Sequence, residues 1–112
     1  MIYAALTIVF YAAQVQLYEK SMKILYTSSD VHKAIKTVFA KRQQRRIAVV
    51  AYLGKNAEAF LPAPEGIKII CCPEPGATSP SSVRSLISRG ANVLFADDLH
   101  AKVYWSEGGC VI

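Results

Sequence analysis

Near the C-terminal end of the chain, in Leu99-His-Ala-Lys-Val-Tyr-Trp105, an imidazole and an ammonium stand two positions apart. A neutral histidine ring nitrogen can attack phosphorus and hold it covalently until water opens the bond. A neighbouring lysine can neutralise the non-bridging oxygens as charge gathers on them in the transition state. Both groups must then reach one phosphate. In a strand, positions i and i+2 share a face, about 6.5–7 Å apart. His100, Lys102 and Tyr104 would stand on one side, and Ala101, Val103 and Trp105 would form an apolar other side. The tripeptide H-x-K alone is a weak signal, because an exposed strand with two ordinary polar residues reads the same way. Its meaning depends on the elements that carry it.

Those elements alternate. "KILYT" (23–27) reads as a short strand, and Ser28, Ser29 or Asp30 can cap the helix that follows. Val31, Ile35, Val38 and Phe39 recur at helical spacing and predict one apolar face on a helix running to about Gln44. "RIAVVAYL" (46–53) is a continuous run rich in β-branched residues, the pattern of a strand covered on both sides. A connection follows, with one helical turn at Ala57–Phe60, and then a strand at 67–72 stopped by Pro73. Ser79-Pro80 suits a helix start, Val83, Leu86 and Ile87 its buried side, and Gly90 its C-terminal cap. Strands at 91–97 and 99–105, a glycine-containing turn at 106–109 and the start of a sixth strand at 110–112 complete the chain. This is an α/β pattern: a single domain with a mixed β-sheet, flanking helices and a closing antiparallel hairpin. The apolar end Cys110-Val111-Ile112 calls for a longer strand, so the domain is expected to be incomplete at its C-terminus.

Composition limits the setting. With 112 residues, 53% of them apolar, the chain is one domain with enough apolar side chains to bury a core, which excludes disorder. Thirteen Lys and Arg against eight Asp and Glu give a net charge of +5. Six of those cations, Lys33, Lys36, Lys41, Arg42, Arg45 and Arg46, crowd one stretch. They are either the solvated side of a helix or a surface for an anionic partner. The three cysteines have no zinc-site spacing and read as buried, reduced thiols of a cytoplasmic protein. Residues 1–18 carry no charge, yet lack the basic start of a secretory signal, and Gln14 and Gln16 interrupt the run. They read as part of an apolar N-terminal extension, 1–21, ahead of a domain at 22–112, with no stable membrane association expected.

"LHAKVYWSEGGCVI", preceded by "RGANVLFADD", resembles the phospholipase D superfamily. That family's signature is H-x-K, four residues and an Asp, then a G-S-x-N element on the next strand. His100 and Lys102 match, Glu107 occupies the acidic position, and the chain ends where G-S-x-N would begin. The resemblance covers residues 22–112 and is strongest to the small single-copy nuclease and restriction-endonuclease branches. It implies a phospholipase D-like fold, with His100 as the phosphoryl-accepting nucleophile, Lys102 as the phosphate clamp and Glu107 orienting its neighbours. It implies no cofactor and no metal. Family sites combine two motif copies. Here His32 has no lysine two residues later, so the resemblance implies a homodimer that brings two copies of His100 together. The function implied is a metal-independent phosphodiesterase acting on DNA, with the six-cation stretch tracking the phosphate backbone. The alternative is a catalytically inactive module that dimerises or binds DNA.

Overall fold

The computed structural model describes residues 22–112, and the expectations for the apolar N-terminal run lie outside it. The described chain forms helix α1 (Ser28–Val38), strand β1 (Arg46–Val50), a 3-10 turn at Ala57–Ala59, strand β2 (Lys68–Cys71), helix α2 (Pro80–Ser88), and strands β3 (Asn92–Phe95), β4 (Lys102–Ser106) and β5 (Gly109–Val111). The strands make one mixed sheet in the order β3-β2-β1-β4-β5. Strands β1, β2 and β3 run parallel, whereas β4 lies antiparallel to β1, and β5 antiparallel to β4. The α/β class and the closing hairpin are therefore as expected. No helix among the described residues is long and apolar enough to cross a membrane.

Each helix is fixed by local chemistry. In α1 the cap is Thr27, one residue before the expected set, and its hydroxyl accepts from the Asp30 amide at 3.1 Å. The helix ends at Val38 rather than near Gln44. Its last inward-facing apolar residue is Phe39, and residues 40–44 offer no side chain that needs the core. Extension would gain only backbone propensity, while the chain must turn back to deliver Arg46 to the sheet. Helix α2 starts as read: Ser79 caps it, accepting from the Ser82 amide, with Pro80 in the first turn. It closes at Arg89 with Gly90 beyond, at φ +96°, where a Cβ would meet the Glu65 backbone. Val83 and Leu86 are buried, but Ile87 is 52% exposed, contrary to expectation. Helix α2 lies over β3, the edge strand among the described residues, so that no strand beyond it covers Ile87 there.

Both helices pack on one side of the sheet. Ile35 and Phe39 of α1 and Val83 and Leu86 of α2 share a core with Ala48, Val50, Ile69 and Cys71. Burial consequently alternates along β1, where Arg46, Ala48 and Val50 are buried while Ile47 and Val49 are half-buried. The expected two-sided cover of this strand is thus one-sided among the described residues. Residues 23–27 form no strand, and Ile24 and Tyr26 are exposed. Cys71 and Cys72 are buried as expected, and burial pushes the Cys71 thiol above its ordinary pKa. Cys110 is exposed, because it alternates with Val111 and lies on the sheet face away from the core that both helices pack on.

Candidate functional site

The topology carries His100 to its place. Strand β3 is at one edge and β4 lies on the far side of β2 and β1, so residues 96–101 must pass over the carboxyl ends of those two strands. The Ala96 amide donates to the Cys71 carbonyl as this passage begins. Asp98 then adopts a left-handed φ of 55°, which aspartate tolerates better than most residues, and the chain turns down into β4. The carboxyl ends of parallel strands are where open α/β sheets place their ligands.

His100 stands two residues ahead of β4 rather than inside it, and Lys102 is the strand's first residue. The β1–β4 ladder pairs Arg46 with Ser106, Ala48 with Tyr104, and Val50 with Lys102. It extends one step beyond the strands, because the Ala51 amide donates to the Ala101 carbonyl at 2.8 Å. Tyr52 and His100 adjoin this last bonded pair, at the end of the ladder. Both His100 and Lys102 are exposed, and with Ala51, Tyr52 and Ala101 they line one open depression. The imidazole and the ammonium thus have access to one solvent-borne anion. Tyr52 also walls a neighbouring cavity of about 60 Å³, together with Val50, Leu53, Lys55, Phe60 and Tyr104. Burial there pushes the Tyr104 phenol above its ordinary pKa.

Glu107 is not in this depression. It lies in the turn after β4, at the strand's opposite end, about 16 Å away by strand rise. Its Oε1 accepts from the Arg45 amide at 2.7 Å and sits 3.8 Å from Arg45 Nε. Ser106, next to it, is buried, and its hydroxyl accepts from the Gly108 amide. The structure therefore brings His100 and Lys102 together and holds Glu107 apart from them.

The six cations also divide. Lys33 and Lys36 are exposed on α1, and Lys41 and Arg42 are exposed in the loop behind it, with Arg42 4.0 Å from Glu65. The Arg45 guanidinium lies over the Trp105 ring, 5.9 Å from its centre. Arg46 is a correction to the proposed surface set, being only 3% exposed. Its guanidinium donates to the carbonyls of Phe39, Ala63 and Glu65, while Nε has no partner among the described residues. Desolvation, with Arg42 nearby, holds its pKa below the ordinary value. This side chain closes the end of α1 and ties it to the 62–66 connection, so it has no guanidinium to offer a phosphate. The β-branched run that follows Arg46 marked a strand, and strand alternation alone could have placed it on the buried side with Ala48 and Val50.

His32, the only other histidine of the chain, is half-buried on α1 and stacks on Phe60 with ring centres 4.0 Å apart. It does not line the His100 depression. The residue that sequence reasoning missed is Tyr52, visible only as an aromatic at the carboxyl end of the apolar run. Comparison of the chain with protein-family models, curated proteins and solved structures returns no match.

Proposed function

We propose that this chain is a phospholipase D-type phosphodiesterase module that hydrolyses DNA without a metal, two copies together forming one site in the cytoplasm. A ring nitrogen of His100 attacks phosphorus, and the bond to the leaving oxygen breaks. That oxygen takes its proton from the imidazolium of a second copy's His100. Water then attacks the phosphohistidine and gives a proton back to the second imidazole, and the P–N bond breaks to release a phosphomonoester. Lys102 faces the non-bridging oxygens throughout, where its charge counts most as theirs increases. The observation that carries this reading is the shared depression of His100 and Lys102 at the carboxyl end of β1. The second histidine must come from another molecule, since His32 is held on Phe60. The test is cleavage of a fluorescent phosphodiester and of DNA in EDTA. Activity that falls at least ~10³-fold in His100→Ala supports the nucleophile, and activity unchanged in that variant removes it.

The position of Glu107 favours a second reading, a non-catalytic module that binds DNA. Its carboxylate is engaged with Arg45 at the far end of β4. On this reading Lys33, Lys36, Lys41 and Arg42 supply a backbone contact whose affinity falls steeply with salt. A salt titration of DNA binding by His100→Ala tests it, and no affinity at low salt rules out the nucleic-acid partner.

A further inference from the structure

The depression has an aromatic wall that phosphate chemistry does not require. Along β1 and just past it, Ala48, Val50, Ala51 and Leu53 are all buried, yet Tyr52 is 51% exposed. Tyr52 lines both the His100 depression and the neighbouring cavity that Lys55 also lines. Tyr52 and His100 each adjoin the last bonded backbone pair of β1 and β4, Ala51 with Ala101, and line the same depression. A phosphate held by His100 and Lys102 would therefore have an aromatic ring on the border of the same depression, where the base joined to it through a sugar could lie.

We infer that Tyr52 is a stacking platform for the unpaired nucleobase next to the phosphate held by His100 and Lys102, making this a subsite for single-stranded nucleic acid. The inference rests on the phosphodiester reading of His100 and adds the class of substrate. A paired base is already stacked and has no face to offer, whereas an unpaired one gains a partner without any requirement for base identity. Stacking of this kind tolerates sequence, in keeping with a site that has a ring beside the phosphate contacts. Lys55 lines the adjoining cavity that Tyr52 shares.

The experiment measures binding, by fluorescence anisotropy at low salt, of a labelled single-stranded oligodeoxynucleotide and of an equal-length strand of abasic sites. The full chain is used, as wild type, Tyr52→Ala, Tyr52→Leu and Tyr52→Phe. Expected is a loss of about tenfold for the base-bearing strand in the Ala and Leu variants, with less than about twofold change for the abasic strand, and near wild-type binding in Phe. The Leu variant retains apolar bulk, so a fold defect confined to Ala leaves the test standing. Equal weakening of both strands, no weakening of either, or no binding by wild type overturns the inference. His100→Ala in the EDTA cleavage assay reports separately on the phosphodiester reading, because stacking on Tyr52 does not need the nucleophile.

Discussion

The β1–β4 pair has two unlike ends. At the Arg46–Ser106 end nearly every polar group is answered within the chain. Glu107 meets Arg45, the Ser106 hydroxyl meets the Gly108 amide, and the Arg46 guanidinium takes three carbonyls. At the Tyr52–His100 end an imidazole, an ammonium and a phenol ring border an open depression instead. Both ends carry cationic side chains, Arg45 and Arg46 at one and Lys102 at the other. A polar group engaged by its own fold contributes to stability, and one left facing solvent beside others of complementary chemistry is available to a ligand. On the proposed phosphodiesterase reading, the difference separates the motif's structural member, Glu107, from the two assigned to the reaction.

Substitutions at the open end should change activity and leave stability alone, and those at the closed end should do the reverse. The largest effect is expected for His100→Ala, with metal-free phosphodiester cleavage reduced at least ~10³-fold. Its urea midpoint should shift by no more than a surface change allows, about 0.5 kcal/mol. Lys102→Ala should reduce the same rate about 10²–10³-fold through lost charge stabilisation. Glu107→Gln should cost less than about tenfold, and an equal loss in Glu107→Gln would erase the distinction between the ends.

At the closed end Arg46→Ala orphans three carbonyls and should destabilise the fold by about 3 kcal/mol in urea unfolding. A loss below about 1 kcal/mol would mean that water replaces the guanidinium there. Between the ends, Tyr104 supplies a pH test. Burial raises its folded-state pKa above the ordinary 10.0, so the folded state favours the neutral phenol. That stability is complete below pH 10 and is lost as pH rises through the folded-state value. Alkaline unfolding should begin later in Tyr104→Phe than in wild type, and identical curves would refute the linkage. The smallest effect concerns the thiols. Alkylation of the native chain should label Cys110, which is exposed, well before buried Cys71 and Cys72.

How far the elements could be read from the chain depended on how local their signals are. The α2 boundaries were clear because Ser79, Pro80 and Gly90 act on the backbone within a turn of themselves. The β4–β5 hairpin was clear from its glycines for the same reason. The end of α1 was not, because it depends on Arg46 reaching the Phe39 carbonyl and on β1 pairing with β4. The strand expected at 23–27 failed for a related cause: an apolar pentapeptide becomes a strand only when a neighbour supplies a ladder. His100 and Lys102 could be picked out by type and spacing, but Glu107 shared the same motif spacing and proved to lie elsewhere.

By itself the amino-acid order determined the α/β alternation, the caps, the closing hairpin and the pairing of an imidazole with an amine on one short segment. These follow from interactions a few positions long, in which backbone conformation and side-chain direction are set by near neighbours. Only the tertiary structure decided that Tyr52 shares a depression with His100, that Arg46 is turned inward and that Glu107 answers to Arg45. Strand order and register made those choices, since they join positions distant in sequence through hydrogen-bond ladders that no local pattern encodes.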